Sequence, residues 1–218
     1  MEHLSFEREL PEGYCEKKHV NAKSFGFGLV MNLIGLAIFA AATVPLVLLL
    51  NIRQNAIADH SFIVIASAYA GVFMSLIYIV LHELVHGWAY KRKTGERLTF
   101  GMSWSCAYCG VPNVYTYRST ALFAVLAPFV FFSIVMILIG AVAFAVYACA
   151  AAEGVINAAM VIYIANAVVF GLHLGGCSGD LYVTWLLLTK FKDSRALMRD
   201  TGPEMFLYLP EQTSDKTE

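Results

Sequence analysis

The chain has 218 residues, of which 59% are hydrophobic and only 14% charged. A soluble domain carries about 25% charged residues, so this composition argues against an ordinary soluble protein and for one compact unit with several membrane spans. The formal net charge of −1 gives no electrostatic basis for a nucleic-acid partner, and the odd number of cysteines, five, does not suggest a secreted disulfide framework.

Residues 1–24 are polar and mixed in charge, with Glu7, Arg8, Glu9, Lys17, Lys18 and Lys23. They read as a cytoplasmic lead-in or interfacial helix rather than a signal peptide, because the apolar run that follows is too long for an h-region. Residues 25–50 form an uncharged first span in which Pro45 sets a kink that neighbouring helices absorb. A short polar loop at 51–60 leads to a second span from Ser61 to about Tyr90. Lys91, Arg92 and Lys93 mark where that helix emerges.

In residues 94–118, Leu98, Phe100, Met102 and Trp104 alternate with small or polar residues. Gly110, Pro112 and Asn113 then supply turn chemistry before Val114 to Arg118, which predicts a β-hairpin between the second and third spans. The third span runs from Ser119 to about Ala152 and is expected to break or kink near Pro128. The last apolar stretch, 155–188, is too long for one straight crossing and is expected to bend around its glycines between Gly175 and Asp180. The predicted fold is an all-α polytopic membrane protein of four transmembrane helices plus that hairpin. Its regions are an N-terminal cytoplasmic segment (1–24), the membrane domain (25–189) and a cytoplasmic tail (190–218).

Lysine and arginine fix the expected orientation. Four fall before residue 24, Arg53 alone in the first loop, five in 91–118, none around Glu153, and five from Lys190 onward. This alternation predicts a multi-pass protein of the cytoplasmic membrane with both termini inside.

The second span ends in His82-Glu83-Leu84-Val85-His86. On a helix, residues four apart share a face, so the imidazoles of His82 and His86 can reach one ion. Glu83, about 100° round the helix, stands beside that ion and is the expected general base. His82 lies roughly 30 Å along a helix begun at Ser61, near the far edge of the bilayer. Zinc is the expected cofactor from the ligand types, although imidazole and carboxylate also accept iron, cobalt or manganese.

Two histidines need a third ligand. The position six residues after His86 is Arg92, not histidine, and Glu96 lies past the expected membrane boundary. Apart from Glu83, Asp180 is the sole carboxylate in the apolar runs, and about 25 residues into the fourth run it matches the depth of His82. A lone intramembrane carboxylate is costly, which favours ligation over a capping role after the glycines. His173, read first as a hydrogen-bonded packing residue, and Cys177 remain alternative ligands. Asn166 reads as a helix–helix hydrogen bonder. Cys106 and Cys109 form a single Cys-x-x-Cys without a second pair and read as reduced structural thiols.

The His-Glu-x-x-His helix with Asp180 on a later span resembles the site-2-type intramembrane metalloproteases. The fuller pattern adds Leu126-Ala127-Pro128-Phe129, Gly175 to Asp180, and Met198-Arg199-Asp200 running to Tyr208-Leu209-Pro210. It is similar to a group of small bacterial membrane proteins described as putative zincin peptidases, over most of residues 75–210. The resemblance implies zinc ligation by His82, His86 and Asp180, with Glu83 as base. It also implies a hairpin that aligns an extended substrate by strand addition. Site-2-type enzymes usually place a glycine after the ligand aspartate, whereas here Gly179 precedes Asp180 and Leu181 follows it.

The expected function is a membrane-embedded zinc endopeptidase acting on membrane proteins or membrane-associated peptides within the lipid bilayer. The alternative is a non-catalytic metal-binding membrane protein, either a pseudoprotease partner or a metal-responsive transporter component. A purely structural site needs the histidines but not Glu83.

Overall fold

The computed structural model describes residues 5–51 and 61–211; the expected loop at 51–60 falls almost wholly outside them. In order the elements are β1 (Phe6–Glu7), β2 (Tyr14–Asn21), α1 (Phe25–Asn51), α2 (Ser61–Thr94), β3 (Thr99–Met102) and β4 (Ala107–Gly110). There follow β5 (Tyr115–Tyr117), α3 (Arg118–Cys149), α4 (Glu153–Gly176), α5 (Ser178–Thr189), β6 (Leu197–Asp200) and β7 (Glu204–Pro210).

Among the described residues, four helices are long and apolar enough to cross a membrane: α1, α2, α3 and α4. Their large apolar side chains, such as Leu33, Leu76 and Leu138, remain exposed, as a surface facing lipid requires. Pro45 and Pro128 both lie inside helices that continue past them, consistent with the tolerance of proline where neighbouring groups take up the freed carbonyl. Cys177 alone separates α4 from α5.

The expectation of an all-helical chain with one hairpin misses a second sheet. A five-stranded antiparallel sheet has the order β1-β5-β6-β7-β2. Residues 1–24 therefore supply two strands rather than an interfacial helix, and the tail supplies two more. Their charge hid them: β2, YCEKKHVN, is an edge strand whose lysines face water and discourage further pairing. The hairpin itself pairs β3 with β4, Thr99 opposite Gly110, with its turn at Ser103–Cys106. The expected second half, around 114–118, instead joins the five-stranded sheet as β5.

By packing, the chain divides into two compact units. The first comprises residues 1–29, 83–127 and 180–218; the second comprises 30–82 and 128–179. In the first, Tyr90 of α2, Val125 of α3, Leu187 of α5 and Met198 and Leu207 of the sheet share one buried core. Arg118 closes it by donating from Nε to the Leu187 carbonyl at 2.7 Å.

In the second unit, α1 and α4 meet at Gly35 and Gly175, where a Cβ on either glycine would collide with the other's carbonyl oxygen. Small residues allow such close backbone approach in membranes, where packing and hydrogen bonds rather than the hydrophobic effect hold helices together. Tyr163 Oη donates to the Leu46 carbonyl at 3.1 Å, and Asn166 Nδ2 to that of Met136 at 3.0 Å. Asn166 is thus the helix–helix hydrogen bonder expected of it.

Candidate metal centre

The motif lies in the last third of α2, a helix whose C-terminal Lys91, Arg92 and Lys93 suit the negative end of its dipole. His86 is buried and its Nδ1 lies 2.9 Å from the Ala124 carbonyl oxygen on α3. A carbonyl only accepts, so Nδ1 carries a ring proton, and in the neutral imidazole Nε2 holds the lone pair. That Nε2 faces Asp180 Oδ2 at 3.4 Å. A charge-assisted N–H···O bond is shorter, about 2.7–2.9 Å. Two ligand atoms each about 2.1 Å from a tetrahedral zinc stand about 3.4 Å apart. With His86 neutral and Asp180 ionised, two lone pairs at this spacing would fit a cation between them.

Asp180 is in the first turn of α5. His82 stands one turn before His86 on the same continuous helix, with its imidazole on the same face by the four-residue spacing. His82, His86 and Asp180 thus make up one candidate ligand group. Two nitrogens and one carboxylate oxygen, with a position left for water, match the donor set of a catalytic zinc site.

Glu83 is half-buried on the neighbouring face of α2. The hairpin lies against this stretch: a Cβ at Gly87 would come 2.8 Å from the ring of Phe100. Burial pushes the Cys109 thiol in β4 up to about 12, with the charges of Asp200 and Glu83 adding to the effect. Cys106 and Cys109 are free thiols, in keeping with the structural reading of that pair.

Other residues around the site escaped sequence reasoning. Tyr90, one turn after His86, is buried and donates to Asp200 Oδ2 at 2.6 Å, which ties α2 to the β6–β7 turn. Tyr78, one turn before His82, lies 2.8 Å from His82 Nδ1 and 2.8 Å from His173 Nδ1. Tyr78, His82, His86 and Tyr90 form one stripe at four-residue spacing, a signal open to reading in the sequence. His173 and Cys177 form a second group with His82, their ligand atoms within 4.8 Å of one another. Both ring nitrogens of His173 have hydrogen-bonding neighbours, since Nε2 lies 3.2 Å from the Phe129 carbonyl and 3.0 Å from Ser133 Oγ.

A family model described as "putative zincin peptidase" matches residues 75–195, a span that holds the histidine motif, the hairpin and Asp180. No curated protein and no solved structure matches the chain.

Proposed function

The chain belongs to the putative zincin peptidase family, and on that premise we propose that it is a membrane-embedded, zinc-dependent endopeptidase cleaving membrane-associated substrates. One observation carries the reading. His86 spends its Nδ1 proton on Ala124 and turns Nε2 toward a carboxylate at 3.4 Å. Metal-ligating histidines are held in this way by an outer hydrogen bond that fixes tautomer and ring orientation.

His82, His86 and Asp180 are the proposed ligands. Zinc bound there would polarise the scissile carbonyl and acidify a water. Glu83, beside the ligands and not among them, would accept a proton from that water and deliver it to the leaving amine. The hairpin edge β3, with Phe100 and Met102 exposed, offers backbone groups to an extended substrate segment. A substrate helix must unwind to reach the site, so cleavage falls near a membrane boundary. The clustering of lysine and arginine on the same side as the motif supports a cytoplasmic boundary.

Elemental analysis of detergent-purified protein tests the assignment. About one zinc per chain is expected in the wild type and in Glu83→Gln, with loss in Asp180→Ala. Glu83→Gln abolishes cleavage of a membrane-peptide library that the wild type cuts. Retained cleavage in Glu83→Gln would defeat the catalytic role, and zinc that survives Asp180→Ala would remove Asp180 from the ligand set.

A further inference from the structure

We infer that His173 and Tyr78 form a positioning relay that fixes the tautomer of His82, so that His82 offers Nε2, and not Nδ1, as its ligand atom. The inference rests on the zinc-centre reading above. It treats His173 as a positioning residue and not as a ligand.

Protons can be counted along one chain of contacts. His173 is fully buried, and its Nε2 lies 3.2 Å from the Phe129 carbonyl oxygen and 3.0 Å from Ser133 Oγ. The carbonyl cannot donate, so His173 Nε2 must carry a hydrogen. In a neutral imidazole the other nitrogen, Nδ1, is then bare. It lies 2.8 Å from the Tyr78 hydroxyl, which must donate to it. That hydroxyl has one proton and has now spent it. Its oxygen therefore accepts from His82 Nδ1, also 2.8 Å away, and His82 Nδ1 must carry a hydrogen. The lone pair of His82 is left on Nε2.

The reverse order would need Ser133 to donate to His173 Nε2, which would set the Phe129 carbonyl oxygen 3.2 Å from a bare ring nitrogen, or else would need His173 to be a cation. His173 sits among the rings of Phe129, Phe132 and Phe170 on a membrane-spanning helix, where a buried charge is expensive. Cys177 Sγ, 3.6 Å from His173 Nδ1, can add a weak second donor to the same lone pair without altering the count. The arrangement parallels that of His86, where the Ala124 carbonyl performs the same task in a single step. Each histidine of the motif is thus locked in the Nδ1–H form by a different device.

The relay predicts an unusual pattern of mutational effects. In His173→Leu the Tyr78 hydroxyl loses its acceptor and turns its proton to His82 Nδ1, which forces the wrong tautomer. Zinc affinity should then fall roughly tenfold or more, as when outer-shell partners are lost elsewhere. Tyr78→Phe removes the proton that does the harm, so the double variant Tyr78→Phe/His173→Leu should bind zinc more tightly than His173→Leu alone.

The experiment combines zinc titration of the three variants with nitrogen-resolved NMR of the histidine rings in metal-free wild-type protein and in His173→Leu. The expected result is His82 protonated at Nδ1 in the wild type and at Nε2 in His173→Leu, with affinity partly restored in the double variant. A wild-type His82 protonated at Nε2 overturns the relay. So does a loss of zinc in His173→Leu that Tyr78→Phe leaves unrelieved, which would make His173 a ligand. Unchanged affinity with only lowered thermal stability would reduce His173 to packing and equally overturn it. Should His173→Leu not fold, Tyr78→Phe decides alone: His82 must then populate both tautomers, and a ring still wholly Nδ1–H sinks the idea. If wild-type protein binds no zinc while His82 is Nδ1–H, the metal-centre reading fails and the relay stands.

Discussion

At the scale of single residues, Asp200 has an unusual electrostatic position outside the spans. It is buried at the β6–β7 turn, takes the Tyr90 hydroxyl on Oδ2 at 2.6 Å, and takes the Gly202 amide on Oδ1 at 2.8 Å. Gly202 has φ +102, a conformation that favours glycine, and aspartate bonding two residues on is a standard way to hold such a turn. Burial raises the Asp200 carboxyl to about 7, the two hydrogen bonds opposing the rise only in part. An unfolded aspartate titrates near about 3.9. Between these values the folded chain holds a proton that the unfolded chain has released, so stability is highest at low pH and falls as pH rises from about 4 to about 7. Asp200→Asn mimics the protonated form, with its amide turned to Tyr90 and its carbonyl to Gly202. Thermal melts from pH 5 to 8 should show the wild type losing stability while Asp200→Asn stays level, the gap above pH 7 being on the order of a few kcal/mol. Parallel curves would mean that Asp200 does not titrate in this window.

At the scale of elements, two glycines one residue apart play opposite parts. Gly175 lies against the Gly35 backbone, whereas nothing lies within 4 Å of a Cβ built on Gly176. Gly175→Val should push α4 off α1 and cost about 1–3 kcal/mol or more. Gly176→Ala, at a helical position without positive φ, should be neutral or stabilising by up to about 1 kcal/mol. Melting both variants in one detergent checks the contrast, and equal effects would refute the close α1–α4 approach. The sequence marked both as glycines in an apolar run but could not say which one touches a neighbour, because that depends on where α1 lies. The same limit explains the other gaps. His82, Glu83 and His86 were legible because their spacing alone places them on one turn. Asp180 stood out as a candidate because an isolated carboxylate in an apolar run is rare. Tyr78 and Ala124 acquire their roles only through contacts with α4 or from α3, and a backbone carbonyl leaves no mark in sequence. Strands β1 and β6 were missed for their shortness, β2 for its edge lysines, and β7 because its near-continuous apolar run lacks the alternation on which strand reading depends.

At the scale of the whole molecule, the five-stranded sheet constrains topology more firmly than charge does. It takes β1 and β2 from the N-terminal segment, β5 from the connection between α2 and α3, and β6 and β7 from the C-terminal segment. Tyr117 donates to Glu7 at 2.7 Å, Arg8 pairs with Glu96 at 2.8 Å, and Tyr14 donates to the Arg195 carbonyl at 3.0 Å, all across these same segments. Strands that share hydrogen bonds stand on one side of a bilayer, because a sheet with open edges cannot be threaded through hydrocarbon. The terminal strands and the α2–α3 connection are therefore expected to face the same compartment, with the turn at residues 150–152 expected on the opposite one. The distribution of lysine and arginine makes the cytoplasm the compartment we propose for them. Reporter fusions at the two ends and an inserted tag at Ala151 test this directly: both ends should report the cytoplasm and the tag the outside. Ends that report opposite sides would break the sheet. Ends that agree but report the outside would keep the sheet and reverse the orientation, moving the candidate metal centre to the outer boundary.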